Sequence, residues 1–242
     1  MSERRADSAV AIVTGSGSGI GRAVCQLLSE AKFQVVLVGR HESSLRETAQ
    51  SLTAVSSEPG HSVMPADVSD SQQCRRVVDA TIDRYGRLDA IVNNAGAVIS
   101  RPIVNNDQAL FKDMFAVNAM GPAMLVAAAW PSFVKQRKGC VVNVSSMTTV
   151  DPFPGLSAYA MSKGAIESLT RSIVNEGRQY GIRAFTVAPG AVETAMLRAI
   201  VPEASLPASR TLDPFDVGRA VVACILGERD AEMGRVILLP SP

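Results

Sequence analysis

The sequence predicts an α/β fold in which a parallel β-sheet of about seven strands is covered by helices on both faces. Two observations carry this prediction. Short apolar, β-branched runs alternate with longer segments of helical period, and 47% of the 242 residues are hydrophobic while 19% are charged. Parallel strands buried on both faces read as continuous apolar runs, and the helices between them supply the crossovers. Because no repeat, low-complexity tract or linker divides the sequence, we expect one domain over residues 1–242.

Each predicted strand except the last is followed by a helix or a long loop. The predicted strands are 9–14, 34–39, 61–66, 88–94, 140–146, 182–189 and 235–240. The predicted helices are 19–31, one from about Ser43, 70–84, about 107–136, 158–178 and about 213–226. Residues 190–212 show no clear period, and a loop this long in a compact domain is usually functional or mobile. We expect it to border the substrate.

Charge, cysteine spacing and hydropathy argue against several other classes of function. The net charge of +1 gives no electrostatic reason to expect nucleic acid or an acidic membrane surface as a partner. The four cysteines and two histidines match no metal-ligand spacing, so we expect no metal and buried, reduced thiols. No uninterrupted apolar run approaches the roughly 18 residues of a membrane span, and the start lacks a signal-peptide core. The cytoplasm is the expected location.

A glycine-rich turn, TGSGSGIGRAV, joins the first predicted strand to the first helix. Gly15, Gly19 and Gly21 stand where a chain must turn sharply, admit a phosphate to its backbone and pack a helix on a sheet. The helix that begins near Gly19 directs its N-terminal N–H groups at such an anion. The spacing is T-G-x-x-x-G-x-G and not G-x-G-x-x-G, but its place in a βαβ pattern indicates a dinucleotide site.

Together with NNAG at 93–96 and YAMSK at 159–163, this turn resembles the short-chain dehydrogenase/reductase family, over nearly the whole chain from Thr14 to about Thr194. The resemblance implies a single Rossmann-like, doubly wound domain that binds NAD or NADP at the carboxyl ends of its strands. The implied cofactor contacts are Thr14, Gly15, Ser16, Ser18, Gly19, Ile20 and Gly21 at the pyrophosphate, Asp67 and Val68 at the adenine, Asn94, Ala95 and Gly96 at the ribose, and Pro189, Gly190, Val192 and Thr194 at the nicotinamide carboxamide. For Asp67, a turn or N-cap role near Ser69 stays open as an alternative.

The resemblance also implies a catalytic group of Asn118, Ser146, Tyr159 and Lys163. A tyrosine can protonate the oxygen that receives a hydride if its pKa falls well below about 10. Lys163 lies one helical turn away on the same face, and its ammonium favours the phenolate. Both Tyr159 and Lys163 are also expected to contact the cofactor, Lys163 at the nicotinamide ribose.

Ser146 lies thirteen positions before Tyr159, as the family pattern expects, and can hold the substrate oxygen by a hydrogen bond. Strand alternation points the adjacent Ser145 the other way. Asn118 has two interpretations: by resemblance it holds a water that links Lys163 to solvent, or it satisfies buried backbone groups.

The end of the second strand predicts NADP(H) as the cofactor, with NAD the less favoured alternative. Gly39 stands where a carboxylate would bind the ribose hydroxyls, and Arg40 follows it. An arginine there attracts a 2′-phosphate, although a second basic residue seen in many turns is replaced by Ser18.

The predicted substrate is an apolar ketone or aldehyde, or the matching secondary alcohol. Residues 97–104, 147–156 and the loop after Pro189 should bound it. Their apolar members include Val98, Met147, Val150, Phe153, Met196, Leu197 and Ile200. Arg101 and Arg198 could meet an acidic group or be solvated loop residues. The alternatives to a carbonyl reductase are an NAD-dependent alcohol dehydrogenase, a lyase or epimerase, and a non-catalytic cofactor-sensing protein.

A homodimer through the helices at 107–136 and 158–178, or a homotetramer, is the expected assembly. The final residues, GRVILLPSP, depart from the Asp-Gly-Gly-like tail that supports the family's tetramer contact. This departure puts the tetramer in doubt.

Overall fold

In this computed structural model, residues 8–54 and 59–242 are described. The first seven residues, on which the expectation of no signal peptide partly rests, lie outside the described part. Seven strands are present: β1 Val10–Thr14, β2 Gln34–Gly39, β3 Ser62–Pro65, β4 Ala90–Asn93, β5 Gly139–Val144, β6 Ile182–Pro189 and β7 Val236–Leu239. They form one parallel sheet in the order β3-β2-β1-β4-β5-β6-β7, which confirms the predicted fold class.

Eight α-helices connect or follow the strands in the described part of the chain. They are α1 Gly19–Glu30, α2 Glu42–Gln50, α3 Ser71–Tyr85, α4 Gln108–Phe115, α5 Gly121–Gln136, α6 Ser157–Gly177, α7 Ala195–Arg198 and α8 Pro214–Leu226. The single helix predicted over 107–136 is in fact α4 and α5 joined by a π-helical segment, Ala116–Met120. The predicted loop 190–212 contains the short α7 and a 3-10 turn at Ala208–Arg210.

The sheet separates two apolar layers because alternate residues of each strand face opposite sides. Ala11 and Val13 pack with α1 and α8, whereas Val10 and Ile12 pack with α3, α5 and α6. The strand order reverses at β1 and β4, so the carboxyl ends of these two strands flank the point where a doubly wound sheet opens a crevice.

One helical stretch in the described part, Gln108–Gln136, is long and apolar enough to cross a membrane by length and composition alone, with a mean hydropathy of 1.3. Polar residues interrupt this stretch, so the sequence shows no uninterrupted apolar run there. Leu125, Ala129 and Phe133 on this stretch are buried against the sheet. A core helix meets the same criteria, so the stretch is weak support for a membrane span.

The four cysteines are free and buried, in agreement with the expected thiols. Burial raises the pKa of Cys74 to about 11 and that of Cys140 to about 12, so these thiols are not reactive thiolates at neutral pH. Within residues 8–54 and 59–242, no group of three or more His, Cys, Asp or Glu side chains could hold a metal ion.

Candidate active site

A cleft of about 940 Å³ crosses the carboxyl ends of the strands. The turn after β1, the ends of β2 and β5, the segments after β3 and β4, helix α6 and the loop after β6 all contribute to its walls. Ligands of doubly wound sheets bind in this position, outside the strand ends at the point where the strand order reverses.

The glycine turn after β1 depends on residues that a side chain would disrupt. Gly15 and Gly19 have φ values of +65° and +51°, in the left-handed region. A Cβ at Gly21 would lie 2.2 Å from the carbonyl oxygen of Gly15, so only glycine lets α1 approach the turn this closely. Ser18 precedes α1 without a side-chain capping bond to any described N–H group, which leaves the first N–H groups of the helix free for an anion.

Asn94 and Thr14 hold the turn against the end of β4. The Thr14 hydroxyl accepts hydrogen bonds from the N–H groups of Asn94 (3.1 Å) and Ala95 (3.0 Å). The Asn94 amide donates to the carbonyl oxygens of Thr14 (2.9 Å) and Gly15 (3.2 Å). These bonds fix the backbone of the turn before any ligand arrives.

Most of the predicted cofactor contacts line the cleft. Those residues are Gly15, Ser18, Gly19, Ile20, Arg40, Asp67, Val68, Asn94, Ala95, Gly96, Tyr159, Lys163, Pro189, Gly190, Val192 and Thr194. Thr14, Ser16 and Gly21 lie behind this lining. The Ser16 hydroxyl, for example, is buried and donates to the carbonyl of Val38 over 3.2 Å, so its role in the structure is to tie the turn to β2.

Asp67 is a turn residue that also lines the cleft. Its carboxylate accepts hydrogen bonds from the N–H and the hydroxyl of Ser69, at 2.9 and 2.7 Å. The N-cap of α3 is Asp70, which accepts from the N–H groups of Gln72 and Gln73, so the N-cap alternative for Asp67 is wrong.

Tyr159 and Lys163, on the first two turns of α6, face the cleft with Ser146. The Lys163 ammonium lies 5.7 Å from the centroid of the Tyr159 ring and donates to the carbonyl of Val144 over 2.8 Å. Burial lowers the pKa of Lys163 to about 8. Burial also raises the pKa of Tyr159, while a hydrogen bond with Ser146 lowers it. The expected lowering of the Tyr159 pKa is therefore outweighed by burial, which disfavours the phenolate.

Asn118 lies in the π-helical segment and is fully buried. Its side chain accepts from the N–H of Ala97 (2.8 Å) and donates to the carbonyl of Ala97 (2.9 Å) and to the hydroxyl of Ser162 (2.9 Å). Ser162 in turn donates to the carbonyl of Tyr159 over 2.7 Å. Both amide N–H groups are thus used, and the side chain satisfies backbone groups of the segment after β4 while joining it to α6.

The two neighbouring serines point different ways. The Ser145 hydroxyl donates to the carboxylate of Glu167 on α6 over 2.7 Å. The Ser146 hydroxyl accepts two hydrogen bonds from Thr148, in the 3-10 turn Met147–Thr149, and bonds the phenol of Tyr159. Sequence reasoning missed Thr148, because a threonine after the serine carries no motif and its role depends on the turn.

The predicted substrate walls are mostly in place. The cleft is lined by Val98, Met147, Phe153, Met196, Leu197 and Ile200. Val150 is not part of the lining and is 61% exposed. The cleft is also lined by residues that the sequence did not single out, among them Gly17, His41, Ser44, Arg210 and the final segment 240–242.

Neither candidate arginine lines the cleft, and each pairs with a carboxylate. Arg198 forms an ion pair with Glu193 and donates to the carbonyl of Leu206 over 2.7 Å, so it organises the loop after β6. Arg101 pairs with Asp107 at 3.1 Å.

This sheet, with a phosphate-compatible turn and a tyrosine–lysine pair at the strand ends, defines an α/β protein built to bind a dinucleotide. Residues 9–205 match the short chain dehydrogenase family, and the chain belongs to that family. Members are oxidoreductases that act on CH–OH or C=O groups with NAD(P), and this chain is such an oxidoreductase.

Relatives and solved structures agree with this assignment. An uncharacterized oxidoreductase of Staphylococcus aureus is 29% identical over 231 residues, 96% of each chain. An uncharacterized oxidoreductase of Staphylococcus epidermidis is 30% identical over the same length and share. A solved short chain dehydrogenase/reductase family protein superposes with a TM-score of 0.86 at 29% identity, covering 97% of this chain and 96% of the other. Levodione reductase superposes with a TM-score of 0.89 at 25% identity, covering 98% and 97%.

Proposed function

We propose that this protein is an NADP(H)-dependent reductase of apolar ketones or aldehydes, with Asn118, Ser146, Tyr159 and Lys163 as its catalytic group. The observation that carries the proposal is the half-buried Tyr159, which lies beside Lys163 and whose phenol interacts with the Ser146 hydroxyl in a cleft at the strand ends. A cofactor sensor would not require these side chains to converge on one place.

The chain's own residues would position the carbonyl and supply a proton. The bound cofactor would supply the hydride. Ser146 donates a hydrogen bond to the carbonyl oxygen, which positions and polarises it. Tyr159 donates its proton to that oxygen as negative charge develops there. The phenol is protonated at neutral pH, since burial raises its pKa above the ordinary value, and Ser146, which lowers that pKa, favours release of the proton. Lys163 lies beside the ring and stabilises the phenolate that forms. Asn118 keeps the segment after β4 in register with α6.

The glycine turn suits a dinucleotide, and Arg40 favours NADP(H) over NAD. The uncapped start of α1 and the close approaches at Gly15 and Gly21 leave a backbone cradle suited to a pyrophosphate. Arg40 is exposed at the edge of the cleft and forms no ion pair with any carboxylate in residues 8–54 and 59–242. Its charge is therefore available to a 2′-phosphate, and Gly39 carries no carboxylate to repel one.

The cleft walls favour an apolar substrate. Met147, Phe153, Leu197 and Ile200 line the same cleft as Tyr159, and Arg198 pairs with Glu193. Levodione reductase, which superposes on this chain, is a reductase by name, and this supports carbonyl reduction as the reaction. We further infer one catalytic domain over 1–242, with 190–212 against the substrate, a location in the cytoplasm, and assembly as a homodimer or homotetramer without nucleic-acid or membrane partners.

The test is loss of NADPH absorbance with aldehydes, diketones, 3-oxoacyl thioesters and steroids as substrates. Tyr159→Phe should abolish turnover and leave NADPH binding within about two-fold, since the phenol acts on the proton and not on binding. Unchanged turnover in this variant would refute the assigned acid. If the protein binds NADPH tightly but oxidises none of it with any carbonyl, the cofactor sensor or the lyase would be favoured.

Arg40→Ala should raise the KM for NADPH by about ten- to hundred-fold and leave that for NADH nearly unchanged, because one charge-assisted contact is lost. Arg46→Ala, which removes an exposed arginine paired with Glu42 on α2, is the matched control. A wild-type preference for NADH would instead support the alcohol dehydrogenase alternative.

A further inference from the structure

The hydroxyl of Ser146 is held from one side by Thr148. The N–H of Thr148 donates to Ser146 Oγ over 3.2 Å, and Thr148 Oγ1 donates to the same oxygen over 3.0 Å. Both residues are buried, with relative exposures of 9% and 8%. Thr148 lines the cleft but belongs to no motif that identified the site.

These two bonds determine what the Ser146 hydroxyl can still do. A serine hydroxyl has one hydrogen to donate and two lone pairs with which to accept. Thr148 fills both acceptor positions, so the hydrogen of Ser146 is the only part of the group left for a partner. Toward Tyr159, Ser146 can therefore act only as a donor, which agrees with the way Ser146 lowers the pKa of Tyr159.

The direction of this bond matters for a substrate carbonyl. A carbonyl oxygen has no hydrogen, so Ser146 and Tyr159 must both approach it as donors. If Ser146 could accept, the phenol hydrogen would turn toward the serine and be withdrawn from the substrate. A tyrosine whose oxygen accepts a hydrogen bond is also a stronger acid than one whose hydrogen is engaged.

We propose that Thr148 is a positioning residue that makes Ser146 an obligate donor and so keeps the hydrogen of Tyr159 free for the substrate oxygen. This inference rests on the proposed function of Ser146 and Tyr159. It extends that function to a residue whose own side chain need not touch the substrate.

The charged groups around Tyr159 are the same in every variant used for the test. Lys163 lies on its own helix, Asp151 follows the 3-10 turn and Arg210 belongs to the loop after β6. The remaining charged or titratable groups of the cleft are Arg40, His41 and Asp67. Differences between variants therefore report on the serine and not on these groups.

The test compares Thr148→Val, which removes one donor at nearly constant volume, with Thr149→Val. The Thr149 hydroxyl lies in the same turn but donates to the backbone carbonyl of Ser146 over 2.9 Å, so its loss perturbs the turn without freeing the serine hydroxyl. Tyr159 ionisation is followed by the ultraviolet absorbance of phenolate in the cofactor-free protein. Subtracting Tyr159→Phe removes the signals of Tyr85 and Tyr180.

Thr148→Val should raise the pKa of Tyr159 by about one pH unit, the size of one net hydrogen bond. The alkaline limb of kcat for carbonyl reduction should move up with it, because the protonated phenol is the acid. At neutral pH, kcat should fall about ten-fold with little change in KM. Thr148→Ser should restore both readouts, and Thr149→Val should leave the Tyr159 ionisation unchanged.

Two outcomes would overturn the inference: an unshifted Tyr159 ionisation in Thr148→Val, or the same shift in Thr149→Val. If Thr148→Val does not fold, Thr148→Ala carries the same expectation. Turnover that persists in Tyr159→Phe would contradict the proposed function itself, and the absorbance readout keeps that failure separate from a failure of the Thr148 inference.

Discussion

At the scale of single residues, the site is built around a buried cation. Lys163 is only 4% exposed, and its ammonium is held by the carbonyl of Val144. A carbonyl dipole does not replace the water that a charge loses on burial, and this loss is why the pKa of Lys163 falls from 10.5 to about 8. At neutral pH the charged Lys163 therefore lowers the free energy of unfolding. Such destabilisation is common for buried functional groups.

This destabilisation predicts how stability changes with pH. Below about pH 8, Lys163 is charged in both the folded and the unfolded chain, and the burial cost is present in full. Between about pH 8 and 10.5 the folded state loses the proton first, so the free energy of unfolding should rise with pH, by up to about 3 kcal/mol. Urea unfolding of wild type and Lys163→Met across this range measures the difference. Parallel curves for the two proteins would contradict the assigned burial cost, since all other titrating groups are shared.

At the scale of elements, the cofactor site depends on how closely α1 approaches the turn after β1. A Cβ at Gly21 would meet the carbonyl of Gly15 at 2.2 Å and the amide of Asn94 at 2.6 Å. The Gly15 carbonyl and the Asn94 amide are hydrogen-bonded to each other, and the same amide bonds the Thr14 carbonyl. Neither group can move aside without breaking these bonds. By contrast, a Cβ at Gly164 in α6 would meet no heavy atom within 4 Å.

Gly21→Ala should therefore destabilise the protein by about 1–3 kcal/mol, the range for overpacking a tight site, and weaken NADPH binding at least ten-fold. Gly164→Ala should instead be neutral or stabilising, by up to about 1 kcal/mol, because alanine is the better helix former. Urea unfolding and NADPH titration by fluorescence test both variants. Equal stability and equal NADPH affinity in the two variants would show that the turn does not require the close approach at Gly21.

The elements also differ in how far the sequence predicted them. Strands such as β2 and β6 were predicted at their observed bounds, because burial on both faces leaves an apolar run with polar or glycine ends. The cleft residues of the glycine turn were predicted because close backbone approach leaves few choices other than glycine. The π-helical segment around Asn118 was not predicted, because its buried amide bonds the distant residue Ala97. The turn that brings Thr148 to Ser146 is local, but no sequence pattern marks it.

At the scale of the whole molecule, the helical layer that contains α5 and α6 has three exposed methionines. Met120 and Met124, at the π-helical segment and α5, are 57% and 39% exposed, and Met161 on α6 is 55% exposed. Only 39% of the most apolar window within Gln108–Gln136 is buried inside the described fold. Methionine is enriched in protein interfaces, and exposed apolar patches mark association surfaces. Because α5 and α6 are in contact, their outer faces form one surface that a second copy could cover around a two-fold axis.

We therefore expect a homodimer, with these helices at its interface. Met124→Glu combined with Met161→Glu should convert it to a monomer, because each copy would place two uncompensated carboxylates in a desolvated surface. Leu226→Glu, the same change at a 49% exposed leucine at the end of α8 on the opposite face of the sheet, is the matched control and should leave the dimer intact. Sedimentation equilibrium at micromolar concentration measures the mass of each. A monomeric wild type would contradict the expected dimer, whereas a wild-type tetramer that Leu226→Glu reduces to a dimer would place the second interface at α8 and β7.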